Sequence, residues 1–208
     1  MIGAQKSDGI TTDALAKRVS PSYAHSDEGV VRWYPMRVTY NRELRVNDCL
    51  KLLDIETFLP TRQQLVERGG KRRYEEVPLV HNLLFVHSSR QVITGLKMTR
   101  PEFNPLRYIM TRPLNPNESP RVMNVPDRQM ENFIRVASAD ADRLMFLDYA
   151  AVSEKVGRRV IITDGDFAGV EGVVKRIKKN RHVVVELDGL TAVAIAFVPP
   201  AFLRFIDE

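Results

Sequence analysis

The sequence predicts an α+β protein: an antiparallel sheet with flanking helices over residues 30–138, followed by a small β-barrel over 153–208. Three observations carry this. Strand-like and helix-spaced segments alternate up to about residue 138. A polar connection with Ser138, Asp140 and Asp142 follows, and 139–152 reads as a linker. The last fifty or so residues then break into short β-branched runs divided by Gly, Asp and Asn turns. At 208 residues and 44% hydrophobic content, the chain can bury two small cores or one medium core.

Residues 1–29 mix Ser, Asp, Gly, Lys and Thr around one brief periodic stretch, Ala14–Val19, and read as a mobile leader. Val31–Val38 is rich in β-formers, and the run from Arg42 to Leu53 places Leu44, Cys49, Leu50 and Leu53 near helical spacing. Ile55–Pro60 reads as a second strand. Arg62–Tyr74, with Gly69-Gly70 among charged residues, reads as an exposed hairpin. Val80–Val86 is the most apolar strand candidate. Arg107–Thr111 and Arg121–Val125 read as strands around a loop from Pro113 to Pro120, and Pro126 opens a helix from its first helical position. In the last unit, Arg159–Thr163, Gly169–Ile177, Arg181–Leu187 and Thr191–Val198 read as strands. Their Val and Gly density predicts a constitutive barrel rather than helix.

Cys49 is the sole cysteine, so no intrachain disulfide is possible, and it reads as core on an apolar helix face. The four histidines lack zinc-site spacing, and His81, His87 and His182 read as structural. The longest apolar run, Ala192–Val198, stops at Pro199-Pro200, so no membrane span is expected; a cytoplasmic monomer without cofactor or metal is. The net charge of +5 is a weak pointer to a polyanionic partner. Asp164, Asp166 and Glu171 lie close in sequence, and Asp164 with Asp166 could hold Mg²⁺ for a nuclease. Without a nearby histidine or a phosphate-cradling loop, they read as acidic turn residues and the chain as a non-enzyme.

Gly157–Val174, with glycines at 157, 165, 169 and 172 interrupting valine-rich strands, resembles the KOW motif. The preceding unit resembles the NGN domain of the NusG family of transcription elongation factors, through Trp33-Tyr34, Glu43 and Phe58-Leu59-Pro60. Arg68-Gly69-Gly70-Lys71-Arg72 and Asn82–Val86 are similar to the specialised antitermination branch of RfaH and the Bacteroides capsule-operon regulators. The match departs at His81-Asn82-Leu83, where the family has Pro-Gly-Tyr or Pro-Asn-Tyr.

The resemblance implies an elongation and antitermination factor, operon-specific for surface polysaccharide. It would dock on the RNA polymerase clamp through Leu83, Phe85, Trp33 and Tyr34. Leu83 and Phe85 alternate onto one sheet face, and that face would serve equally as core against the helix at 42–53. Arg37, Arg42 and Arg45 match positions that in relatives contact non-template DNA; Arg62, Arg68, Lys71, Arg72 and Arg73 of the hairpin could add phosphate contacts. Phe167, beside Asp166 at a loop tip, would anchor a small-subunit ribosomal protein or a termination factor. The alternative is a ribosome-associated RNA-binding KOW protein using the basic turn Lys175–Arg181.

Overall fold

The computed structural model describes residues 28–111, 117, 119–139, 143–153 and 157–206. The expected leader falls outside these residues apart from its last two, as does most of the loop 113–120.

The first sheet has the antiparallel order β2-β5-β1-β6, built from β1 (Val31–Val38), β2 (Glu56–Phe58), β5 (Leu83–Ser89) and β6 (Leu106–Tyr108). Its strands alternate two apolar sets. Tyr34, Met36, Val38, Leu84 and Val86 point to one face, where they pack with Val46 and Leu50 of helix α1 (Glu43–Lys51), Ile93 of α2 (Arg90–Thr99) and Phe103. Trp33, Leu83 and Phe85 point to the other, against Met130, Phe133 and Val136 of α3 (Asp127–Ala137). A sheet buried on both faces explains why β5 opens on four consecutive apolar residues, all buried.

Local chemistry sets several joints. Glu43, buried in the first turn of α1, accepts a 2.7 Å hydrogen bond from the backbone N–H of Asn82, which fixes the turn entering β5. That strand therefore begins at Leu83, three residues beyond the expected Val80, because Asn82 takes a left-handed φ of 60°. Helix α2, in a stretch the sequence left unassigned, is capped by Ser89, whose hydroxyl accepts from the Val92 N–H at 3.2 Å. Pro126 stands at the N-cap of α3, one position earlier than expected. The expected strand at 121–125 is reduced to isolated bridges, Met110↔Val122 and Trp33↔Val125.

The exposed hairpin consists of β3 (Thr61–Arg68) and β4 (Lys71–Pro78), longer than expected, which form a sheet of their own. Its register pairs Arg68 with Lys71, leaving Gly69 and Gly70 as a two-residue loop with φ of 59° and 74°. Two successive positive φ values match the twist of a tight hairpin and favour glycine at both places.

The C-terminal unit is a six-stranded antiparallel sheet in the order β12-β8-β9-β10-β11-β7. Its strands are β7 (Leu144–Asp148), β8 (Arg158–Ile162), β9 (Glu171–Ile177), β10 (Asn180–Leu187), β11 (Thr191–Ile195) and β12 (Leu203–Phe205). Much of the expected linker 139–152 is thus ordered: β7 pairs with β11 from Thr191↔Asp148 to Ile195↔Leu144, and a short helix, α4 (Tyr149–Ser153), follows it. The pairing places Met145 and Leu147 with Ala192, Ala194 and Val184, beneath Val152 of α4. Gly172 is a close-approach site, since a Cβ there would lie 2.8 Å from the Val184 carbonyl oxygen of the neighbouring strand.

On the α4 side of this sheet a buried ion pair stands out. Lys175 Nζ donates to Glu186 Oε1 at 2.7 Å and to the Val152 carbonyl at 2.8 Å, with side-chain exposures of 6% and 15% for the pair. Removing one partner strands a charge in an apolar setting, whereas replacing both with matched apolar groups does not. Glu186→Ala is expected to lower unfolding free energy by about 3 kcal/mol in denaturant titration, and Lys175→Met with Glu186→Leu to recover most of that loss.

Candidate functional site

None of the four residues expected on an apolar docking patch lies at the surface. Relative exposures are 5% for Trp33, 4% for Tyr34, 5% for Leu83 and 0% for Phe85. The expected alternative, burial against the helix at 42–53, holds only for Tyr34, which shares the cluster of α1 and α2. Leu83 and Phe85 face α3 instead: the Phe85 ring lies 5.6 Å from Phe133 and 6.4 Å from Phe58, while Trp33 stacks on His87 at 4.7 Å. Behind α3, the same core continues into Val183, Val185, Val193 and Ile195 of the C-terminal sheet.

Phe167 also departs from the exposed anchor expected of it. It is 4% exposed and belongs to this shared core, because its loop turns inward at the junction between α3 and the C-terminal sheet. The Arg143 guanidinium sits 5.4 Å above its ring and donates to Asp166 Oδ2 at 2.6 Å. Asp166 keeps its expected surface position, 71% exposed, and its carbonyl accepts from Arg135 at 3.4 Å. Arg128 of α3 pairs with Glu171 of β9 across the same junction. Exposed pairs of this kind contribute at most about 1 kcal/mol each, so the apolar contacts dominate the junction.

The arginines divide into two electrostatically different groups. On the hairpin, Arg68 pairs with Glu75 at 3.5 Å, Arg72 with Glu67 at 3.3 Å and Arg73 with Glu75 at 2.5 Å; no ion pair involves Lys71 among the described residues. Most of the hairpin's positive charge is answered within the hairpin. Arg37, Arg42 and Arg45 are exposed, and no carboxylate of the described residues pairs with them.

The structure brings further residues to Arg42 that sequence reasoning missed. An open depression of about 410 Å³ is lined by Tyr40, Arg42, Lys97, Asn104, Pro105 and Arg107. A second, of about 310 Å³, shares Arg42 and adds Arg45, Val46, Pro101 and Glu102. Arg107 is the cross-strand partner of Arg37 on β6, and its guanidinium donates to the carbonyls of Asn104 and Leu106. Burial, and then the Arg107 charge, push the Lys97 ammonium below its usual pKa; its Nζ lies 4.8 Å over the Tyr108 ring. Tyr40 and Asn41 adopt φ of 67° and 51°, a conformation that costs a non-glycine residue about 1–3 kcal/mol. The available signal was a charged helix start, Asn41-Arg42, following a strand; Lys97 and Arg107 are far away in sequence.

The acidic turn is accounted for within the fold. Asp164 Oδ1 accepts from the Gly165 N–H at 2.7 Å, Asp166 holds Arg143, and Glu171 meets Arg128 and, at 3.9 Å, Arg159. Among the described residues no group of three or more His, Cys, Asp or Glu is placed to hold a metal ion. His87 pairs with Glu56 at 2.6 Å and His182 Nδ1 lies 3.1 Å from the Ile195 carbonyl, while His81 is exposed. No helix among the described residues is long and apolar enough to cross a membrane.

The described residues thus combine a cationic surface, a sheet buried on both faces and a β-rich unit that follows it. Residues 31–134, half of the chain, match the family described as transcription termination factor nusG, and the chain belongs to the NusG family. This is a family of transcription factors that bind RNA polymerase, not of enzymes. No curated protein matches the chain.

Placing Phe167 in the core has a measurable consequence. Phe167→Ala is expected to lower unfolding free energy by about 3 kcal/mol, the cost of truncating a buried ring, whereas an exposed loop aromatic would change it by less than about 0.5 kcal/mol. Thermal or denaturant unfolding of the two proteins reads the difference.

Proposed function

We propose that this chain is an elongation and antitermination factor of the specialised branch resembling RfaH and the capsule-operon regulators. Its 31–134 unit would hold the RNA polymerase clamp, lay Arg37, Arg42 and Arg45 along non-template DNA, and serve a surface-polysaccharide operon. The C-terminal sheet, read as a KOW module, meets a second partner, a small-subunit ribosomal protein or a termination factor. The observation that carries the reading is a family match coinciding with a cationic face on which Arg37, Arg42 and Arg45 have no carboxylate partner among the described residues, the neighbouring Glu102 being paired with Arg100. A ligand of this kind needs no chemistry: preferring the closed clamp shifts that population by its differential affinity.

Docking through Leu83, Phe85 and Trp33 requires the covering of α3 and the C-terminal sheet to open, and the cost of opening subtracts from apparent affinity. Arg128→Glu sets two carboxylates against each other at the junction and should raise polymerase affinity about threefold, a fraction of one surface ion pair. Unchanged affinity in a titration with purified polymerase would remove the covered face from the reading. The ribosome-associated alternative is less well supplied with charge. Of the turn Lys175–Arg181, Lys175 is buried against Glu186 and Arg176 folds back onto the Lys179 carbonyl.

The reading as a whole is tested in a purified transcription system. Read-through of a terminator should rise with the protein present, and Arg37→Gln, Arg42→Gln, Arg45→Gln together should lower the salt dependence of binding by about two units of log slope, ~0.7 per lost phosphate contact. A protein that neither binds polymerase nor alters read-through sinks the proposal.

A further inference from the structure

The segment formed by β7 and α4 covers a face whose residue pattern is that of a wetted one. Along β10, Val183, Val185 and Leu187 point into the core shared with α3, while His182, Val184 and Glu186 alternate onto the opposite face. Lys175 of β9 is the cross-strand partner of His182 and shares that face. Polar residues alternating with core residues mark an antiparallel strand with one face in water. Here both Lys175 and His182 are buried, and Val152, Met145 and Leu147 lie over the same face. The apolar part of the floor is small, chiefly Ala192, Ala194 and Val184, and the apolar side chains of β7 are only half-buried. A cover that desolvates the Lys175–Glu186 pair gains little by staying, because its departure returns both charges to water.

We propose that β7 and α4 are a removable strap, holding on β11 the place that an extended strand of a partner protein takes when the strap lets go. β7 is the last strand of its sheet, so its departure turns β11 into an edge whose outward N–H and C=O groups need new partners. The strap itself shows what fits there. The incoming strand runs antiparallel to β11 and is apolar on both sides, as Met145 and Leu147 face the floor while Leu144 and Phe146 border the shared core. Lys175 loses the Val152 carbonyl when α4 leaves, so the incoming segment also supplies an acceptor, a carbonyl or a carboxylate, beyond its strand. The proposal rests on the reading that the C-terminal sheet meets a second protein, and it adds that the chain covers that site itself until the partner competes for it.

Hydrogen exchange on the full chain reads the strap directly. The amides of 144–148 should exchange at least about tenfold faster than those of Val183–Val185, whose exposure requires the sheet itself to open. Equal protection of the two sets overturns the strap. A labelled peptide of residues 143–153 supplies a strand that fits by construction. Fluorescence anisotropy should find it bound by the full chain carrying Met145→Asp and Leu147→Asp, and about tenfold more weakly by the unaltered chain, whose own strap competes. Met145 and Ala194 are cross-strand partners within disulfide reach. A disulfide through Met145→Cys and Ala194→Cys, with Cys49→Ser removing the one other thiol, should abolish peptide binding, and reduction should restore it. Peptide bound equally by the oxidised and reduced chains, or left unbound by the aspartate variant, overturns the covered edge. A concentration-dependent dimer of the unaltered chain that the disulfide abolishes makes a second copy the occupant and overturns the partner protein. Purified small ribosomal subunits should follow the peptide, bound by the reduced chain and not by the oxidised one. Peptide binding without subunit binding overturns the ribosomal partner of the proposed function and leaves the strap standing.

Discussion

The apolar stripe of α3 is the contact on which the two halves of the molecule depend. Met130, Phe133 and Val136 recur at helical spacing, are fully buried, and touch the first sheet through Phe58 and Phe85 while joining the core of the C-terminal sheet. At about 1.5–3 kcal/mol for each large apolar side chain buried, these three side chains outweigh the exposed ion pairs around them. Trp33, Leu83 and Phe85 owe their burial to this helix, which the C-terminal sheet backs from its other side, so baring that sheet face takes movement of the helix as well as separation of the two units.

Legibility followed the range of the signals. The hairpin could be read because Gly69-Gly70 sits between two polar alternating runs, and the C-terminal strands because their turn residues recur at short spacing. Helix α2 could not, since a Ser89 cap and a glycine-containing run give weak local signs, and β7 was hidden because its pairing with β11 is made across some forty residues. Burial was the harder quantity. Alternation showed that Leu83 and Phe85 share a face; what covers that face lies at 130–136 and beyond 160. Phe167 misled for the same reason, a loop aromatic whose core is supplied by a distant helix. Arg37, Arg42 and Arg45 were legible as a cluster, but Lys97, Asn104 and Arg107 reach Tyr40 only through the folding of α2 and β6.

Electrostatics separates sites that composition merges. The hairpin and the β1–α1 turn both read as arginine-rich. On the hairpin, glutamates of the same two strands satisfy Arg68, Arg72 and Arg73, so a phosphate arriving there must displace an existing partner. Beside the turn, the Arg107 charge adds to burial in lowering the Lys97 pKa, and an arriving anion relieves that repulsion as well as gaining attraction.

The hairpin has one more property. Its two strands pair only with each other, standing apart from both cores, and two-stranded ribbons are marginal on their own. Such an appendage is held by its turn and its cross-strand pairs, so it can exchange hydrogens and fray without loosening the body that carries it. It is therefore the part of the molecule in which residues can be replaced, lengthened or recharged at little cost to folding, and the natural place for otherwise similar chains to diverge in what they touch.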